Sequence, residues 1–332
     1  MSETSASSKP PLGLRLRYLM EAAGFFLLMG VMRLLGLDRA SALGGFMGRR
    51  IFYPSGITKR ARENMRAAFP EKSAAEIETL LLEMWDNLGR TVAEYAHFDK
   101  FSIHGPDARL EFQDTENFRS AGIYEEGAML ISGHLANWEL MQVAITQFGL
   151  GGGVVYRPVN NPYVDSWVAK QRRKTGPLEL IAKGPRGTRR IFTLLRSNKP
   201  VCLLVDQKTN EGIPAAFFGR DALTTPAPAV LALKMGKKLI PISSRRIGGS
   251  RFVVTAHPAL IFTPSGDYEN DVMSLTQLIT GKIEELIRAN PAQWLWIHRR
   301  WPTSRDHMTS KRGIQSLAGN GVRAERDGSS LI

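Results

Sequence analysis

The sequence predicts an α/β fold with a mostly parallel central sheet flanked by helices, preceded by a hydrophobic membrane-anchor helix. Three observations carry this expectation. From about residue 105 to residue 289, short apolar runs alternate with helical patterns, the rhythm of strand–helix–strand crossovers. Residues 12–47 are dominated by Leu, Met, Phe, Gly and Ala. The apolar run 128–131 leads through a glycine straight into helical spacing, the signature of a buried strand feeding a helix.

Residues 1–11, rich in Ser, Lys and Pro, are expected to be disordered. The longest charge-free piece of the apolar region is 22–32, bounded by Glu21 and Arg33. A bilayer span needs ~20 predominantly apolar residues, so a full crossing must carry a charge near one end. A secretory signal is the competing reading, with Arg15 and Arg17 ahead of the apolar stretch and small residues at Ala40, Ser41 and Ala42. Arg33, Asp38 and Arg39 intervene. Residues 12–50 are therefore read as an uncleaved membrane anchor that spans the bilayer or lies in its interface. A buried hydrophobic helix is the alternative. Arginines flank both ends and leave the orientation open.

Residues 58–69 form a basic amphipathic pattern stopped by Pro70, and Ser73 with Glu76 makes a capping box for a helix running toward Tyr95. Its apolar stripe is Ile77, Leu80, Leu81, Met84 and Leu88, a core pattern. Strands are predicted at 128–131, 153–156, 178–182, 201–205, 239–243 and 252–255. Helices are predicted at 135–148, 162–174, 188–197, 227–235 and 271–289. The main domain is expected over 51–303, and residues 304–332 read as a basic flexible tail.

The chain carries 44 Lys+Arg against 31 Asp+Glu, a formal charge of +13. Such an excess favours polyanionic partners: nucleic acid, an anionic bilayer or a phosphorylated substrate. The single cysteine, Cys202, lies in an apolar run, so neither a disulfide framework nor a thiolate metal site is expected within the chain. There is no G-x-S-x-G elbow, H-E-x-x-H pair, Walker loop or dinucleotide glycine pattern.

Chemistry concentrates at 127–139. His134 falls at the turn after Gly133, and Glu139 follows in an early turn of the predicted helix, where it can reach back to the imidazole. A carboxylate on one ring nitrogen fixes the tautomer and frees the other to take a proton. Spacing alone leaves open a histidine that merely caps the junction. Arg157 lies past the carboxyl end of the strand 153–156, where α/β sheets present functional groups, and suits a phosphate or a developing oxyanion. A solvated loop charge is the plain alternative. Arg186 and Arg189 open a helix and offer guanidinium groups to an anion. Asp206 and Gln207 follow another strand, placed to orient the site groups or to meet substrate. The loop 214–219 either clamps an apolar chain or caps the core. The stretch 293–301, with Trp294, Trp296, His298, Arg299, Arg300 and Trp301, mixes aromatic and basic residues, a pattern found at nucleic-acid surfaces and at the lipid–water boundary.

Taken together, these motifs resemble the late acyltransferases of lipid A biosynthesis, the lauroyl/myristoyl transferase family. The matching elements are the apolar N-terminal helix and the segment from Arg62 to Met65 with Phe69 and Pro70. They continue with Gly133 and His134 followed by Asn137, Trp138 and Glu139, then Tyr156, Arg157, Pro158 and Asn160. Asp206 with Gln207, residues 217–219 and residues 293–301 complete the set. The resemblance covers roughly 15–303. His-x4-Glu alone is loose, since glycerolipid acyltransferases share a similar pair, but its combination with the later motifs is specific.

The resemblance implies a glycerolipid-acyltransferase-like fold and transfer of a fatty acyl group from an acyl carrier protein thioester to a hydroxyl of a phosphorylated lipid A precursor. That would occur at the cytoplasmic face of the inner membrane. It implies His134 as base, Glu139 as the group stabilising the imidazolium, Arg157 on phosphate or oxyanion, and Asn137, Arg186, Arg189, Asp206 and Gln207 toward substrate. No metal or cofactor is expected, acyl carrier protein being a co-substrate, and nucleic acid is not an expected partner. The alternatives are an acyltransferase acting on another glycolipid, such as a mannoside or an ornithine-type lipid, and a non-catalytic basic membrane- or nucleic-acid-binding protein.

Overall fold

The computed structural model describes residues 11–176 and 178–301. The predicted disordered N-terminus, except Pro11, and the predicted basic tail lie outside them. The chain runs α1 (Leu12–Leu35), α2 (Leu37–Met47), α3 (Ile57–Ala68), α4 (Ala74–Glu94), β1 (Leu110–Gln113), α5 (Glu116–Ser120), α6 (Ile123–Glu126), β2 (Met129–Ser132) and α7 (Glu139–Gln147). It continues with β3 (Gly153–Tyr156), α8 (Pro162–Arg173), β4 (Glu179–Ala182), α9 (Pro185–Arg196), β5 (Val201–Leu204), β6 (Ile213–Phe217) and β7 (Arg220–Thr224). The last elements are α10 (Ala227–Met235), β8 (Leu239–Gly248), β9 (Arg251–Ala256) and α11 (Tyr268–Ala289).

Seven strands form one sheet in the order β1-β9-β8-β2-β5-β3-β4. All its pairs are parallel except β8 with β9. The expected mostly parallel sheet is therefore present. The pattern had not signalled β1 or the separate antiparallel hairpin of β6 and β7. A strand in the middle of such a sheet is covered on both faces, and β2 is buried at every position. Met129 and Ile131 point into a core built with α3, α4, α9 and α11, while Leu130 points into a second core with α5, α6 and α7.

The helix α4 begins with the expected capping box between Ser73 and Glu76. It crosses α2 at backbone contact: a Cβ on Gly44 would sit 2.3 Å from the Gly89 carbonyl oxygen, and one on Gly48 would sit 1.9 Å from that of Trp85. Gly44 on α2 and Gly48 just past its end thus permit the crossing, as small residues do wherever helix backbones touch.

The helix α1 is unbroken through Glu21 and Arg33 and is long and apolar enough to cross a membrane, a candidate anchor as expected. It is not the buried core helix of the alternative reading. Only the stripe Ala22, Met29 and Met32 is buried, while Leu16, Leu19, Met20, Phe26, Leu27, Val31 and Leu34 are exposed. Leaving so many large apolar groups in water is costly, which is the physical sign of a second apolar phase.

The aromatic stretch near the C-terminal end behaves differently from its surface-seeking expectation. Trp294, Trp296 and Trp301 are buried and pack with Phe217, Phe218 and Phe69. Arg300 is also buried, giving its guanidinium to the Leu223 carbonyl and the Thr224 hydroxyl. The interleaved cations misled the reading because buried Arg300 props the β6–β7 hairpin instead of facing solvent. Residues 217–219 cap this core. From α3, Asn64 donates to the carbonyls of Trp296 and His298, and Arg60 to that of Ile297. The basic helix is thus a brace for the tryptophan segment.

Candidate active site

Strand register alone sets two side chains together. β2 and β5 pair in parallel with Met129 opposite Val201 and Ser132 opposite Leu204. Continuing that offset two residues past each strand end puts His134 beside Asp206. The Asp206 carboxylate accepts from the His134 backbone N–H at 2.8 Å and lies 2.8 Å from Nδ1. Oδ2, the oxygen that takes the backbone N–H, also accepts from the Trp294 indole N–H at 2.7 Å, while Oδ1 faces Nδ1. Asp206 is buried and thereby holds Nδ1 as the donor, which leaves Nε2 as the acceptor toward the cavity. The Gln207 amide lies 3.2 Å from Nε2.

The electrostatics follow from this geometry. Burial pushes the His134 pKa down, but the Asp206 charge and hydrogen bond outweigh it and the net shift is upward. Burial raises the Asp206 pKa, and the imidazole together with the backbone and indole donors overturns that and holds it far below the ordinary carboxylate range. His298 stands behind the loop and accepts from the Lys208 N–H at 3.1 Å, its pKa lowered to about 4 by burial.

Glu139 does not reach the imidazole as the spacing suggested. The predicted helix over 135–148 begins only at Glu139. Residues 133–138 form a loop in which Ala136 adopts φ 49°, and this turns Glu139 away from His134. Its carboxylate instead accepts from Tyr95 at 2.7 Å and from Arg172 Nε at 2.8 Å, with Gln142 at 3.4 Å. Burial raises the Glu139 pKa, and the Arg172 guanidinium outweighs it to leave the net shift downward. Glu139 is therefore a charged group at the head of a helix, where negative charge is favoured, bonded to a different partner from the one expected. Arg172 has Nη1 buried without a protein hydrogen bond, and it lines the same cavity as Glu139 and His134.

That cavity has a volume of about 450 Å³. Its floor is the same-face residues of four adjacent strands, Leu130, Val154, Cys202, Leu204 and Ile242, roofed by Met141 and Ile145 of α7. Its mouth carries His134, Gln207, Tyr156, Arg157 and Lys183. Cys202 is a wall residue, its thiol pushed up to about 12 by burial. The space thus joins an apolar floor and roof to a polar mouth at the imidazole and to the polar wall of Tyr95, Glu139, Gln142 and Arg172.

The other predicted site residues separate into three groups. Arg157 and Gln207 line the cavity, Arg157 exposed at its rim. Arg186 and Arg189 are exposed in the first turns of α9 and are not among its walls. Asn137, read as a substrate contact, is fully buried and donates to Glu94 at 2.8 Å. It lies on the protein side of the loop, because the left-handed Ala136 reverses the chain between His134 and Asn137. Asp206, read either as orienting a site group or as meeting substrate, lies behind the imidazole and orients it. Sequence reasoning missed Tyr95 and Arg172, whose spacings from Glu139 carry no local signal.

A buried carboxylate behind an imidazole, at the carboxyl edge of a parallel sheet, is an arrangement able to serve as a general base beside a chamber with an apolar floor. The chain is an acyltransferase and belongs to the bacterial lipid A biosynthesis acyltransferase family, whose profile matches residues 9–303. It is similar to the lipid A biosynthesis palmitoleoyltransferase of Escherichia coli, 27% identical over 262 residues covering 73% of this chain and 78% of that one. It is also similar to the lipid A biosynthesis lauroyltransferase of Escherichia coli, 24% identical over 277 residues, 80% and 83% of the two chains. A phosphatidylinositol mannoside acyltransferase of Mycolicibacterium smegmatis is 26% identical over 309 residues, 89% and 94% of the two chains.

Proposed function

We propose that this protein transfers a fatty acyl group from an acyl carrier protein thioester to a hydroxyl of a lipid A precursor, at the cytoplasmic face of the inner membrane. The observation that carries the reading is the His134–Asp206 pair opening on an apolar chamber. Nδ1 is committed to Asp206, so Nε2 takes the hydroxyl proton as the acceptor oxygen attacks the thioester carbonyl. The new C–O bond forms, the C–S bond breaks, and the imidazolium returns the proton to the departing thiolate. Asp206 stabilises the imidazolium in between. The acyl chain lies in the apolar chamber, and Arg172 Nη1 is an available donor for charge developing on the carbonyl oxygen. Glu139 holds Arg172, and so acts on the reaction through it. Arg157 and Lys183 meet an anionic part of the acceptor at the rim. The reaction so written calls for no metal and no covalent enzyme intermediate.

The basic charge of the chain suits an acidic carrier protein, a phosphorylated acceptor and an anionic bilayer together. A second reading, transfer to another phosphorylated glycolipid, is favoured by the long match to a mannoside acyltransferase. The test is to incubate the purified full-length protein with acyl carrier protein thioesters and either lipid A precursor or phosphatidylinositol mannoside, and to weigh the products by mass spectrometry. Acylated lipid A precursor is expected. Product only on the mannoside selects the second reading, and equal turnover with acyl-coenzyme A would remove the carrier protein from the proposal.

A further inference from the structure

The turn bearing Arg157 is tied directly to the apolar helix. Asn161 is buried, and its amide nitrogen donates to the Tyr18 carbonyl at 2.8 Å and to Glu21 Oε2 at 3.2 Å, both on α1. Its amide oxygen accepts from Tyr163 N–H at 3.1 Å, capping α8. One side chain therefore joins the anchor, the cap of α8 and the end of the Arg157 turn. Six residues further along α8, Trp167 packs edge-on against Phe25 at 5.2 Å, so the contacts advance together along both helices. Between strand and cap, the turn is held by Lys183 N–H to the Tyr156 carbonyl and by Val159 N–H to Asp165. The remainder of α1 shows exposed Leu, Met, Phe and Val side chains away from this contact.

We infer that Asn161 is a positioning residue that locks the cavity mouth to the membrane-embedded helix, so that the Arg157 rim is presented to lipid acceptors at the bilayer surface. The inference rests on the reading of α1 as a membrane element and of the acceptor as a lipid. A backbone carbonyl inside a helix is already committed to the helix ladder, so the extra bond from Asn161 has geometric value chiefly: it fixes the height of the turn against α1. The acyl donor, delivered from water, has no such dependence on that height.

Asn161→Asp tests this, because aspartate caps a helix as well as asparagine but cannot donate to Tyr18 and repels Glu21. Steady-state kinetics of the full-length variant are measured with lipid A precursor in phosphatidylethanolamine/phosphatidylglycerol vesicles and with acyl carrier protein thioester. The acceptor KM is expected to rise about tenfold, the scale of a lost hydrogen bond plus repulsion, with the donor KM unchanged. Adding Glu21→Gln swaps amide and carboxylate across the Glu21 contact and removes the repulsion, but leaves the Tyr18 carbonyl without its donor, so it is expected to recover part of the loss. An unchanged acceptor KM, a rise shared by both substrates, or a defect that the swap does not relieve overturns the inference. Amide exchange of residues 157–161 on the same vesicles is read without turnover and should quicken in the variant. If it does so while the wild-type protein acylates none of the lipids offered, the clamp stands and the proposed reaction falls. Unchanged exchange overturns the clamp itself.

Discussion

The loop after β2 and the turn after β3 both leave the carboxyl edge of the sheet and both face the cavity, yet they are held very differently. Residues 133–138 are pinned nearly atom by atom. His134 N–H goes to Asp206 and Ala136 N–H goes to the Gln293 carbonyl. The Ala136 carbonyl accepts from Asn87 and Thr91, and Leu135 bridges to Trp294. Beneath them Glu94 is buried and bonded to Asn137, Ser41 and Arg246. Residues 157–160 are exposed and held chiefly at their ends. The difference teaches what each must do. The base of the proposed reaction must meet a proton at hydrogen-bond distance with its tautomer fixed, and its loop holds a non-glycine residue at φ 49° despite the ~1–2 kcal/mol that such a backbone costs. In the proposed reaction the rim meets an anionic part of the acceptor, for which an exposed guanidinium at the right height suffices without a pinned backbone.

The sharpest way to break the comparison is His134→Ala. Loss of the base should lower kcat by ~10²–10⁴-fold, and the melting temperature should fall as well, since buried Asp206 loses the imidazole bonded to it. Near wild-type turnover would end the assignment of the base.

Glu94→Ala strikes the scaffold beneath that loop. It leaves Arg246 buried without its carboxylate, a loss of about 3–5 kcal/mol, and frees the amide of Asn137. Chemical denaturation should show that loss in the midpoint. A shift below 1 kcal/mol would mean the loop holds itself.

Asp206→Asn asks whether the carboxylate tunes the base as well as holding it. The acid limb of kcat/KM in the wild type should lie above the ordinary histidine value of 6.5, because Asp206 raises His134. In the variant, burial acts without that charge, so the limb should move to lower pH while the plateau falls by about 10²-fold. The stability signs agree. His134, with its folded pKa raised, adds stability that is full below 6.5 and fades as pH rises through the folded value. Asp206, with its folded pKa lowered, adds stability above 3.8 that fades as pH falls through its own folded value. The difference in melting temperature between wild type and variant should therefore be greatest between pH 3.8 and 6.5. A constant difference across that range and above it would contradict the pairing.

Arg157→Lys, the smallest change, belongs to the looser region. Lysine keeps the charge but lacks the planar two-point fork, so the acceptor KM should rise by about tenfold with kcat little altered. Unchanged kinetics would make Arg157 a bystander at the rim.

Composition and period determined a good deal of this protein by themselves. Side-chain alternation and apolar runs marked six of the seven strands of the main sheet, because a buried parallel strand must be apolar on both faces. The Ser73–Glu76 cap, the Pro70 stop and the apolar length of α1 are local events, governed by residues within one or two turns, and were legible for that reason. His134 was legible as a candidate because it follows a buried strand at a turn, although spacing alone left a capping histidine open. Its partner was legible only as one of two readings of Asp206, beside the nearer Glu139. Asp206 is 72 residues away and meets the imidazole only because β5 lies beside β2 in parallel register, a pairing that no local pattern encodes. Glu139 looked closer in sequence, but the loop at Ala136 delayed the helix and gave its carboxylate to Tyr95 and Arg172. Asn137 and the tryptophans near residue 296 carried a surface-like or functional pattern and went inside, where Glu94 accepts from the Asn137 amide nitrogen and Asp206 and the Pro291 carbonyl accept from the indole N–H groups of Trp294 and Trp296. Burial of a polar group depends on finding a partner across the fold, and the partners were settled by how the sheet and its covering helices came together.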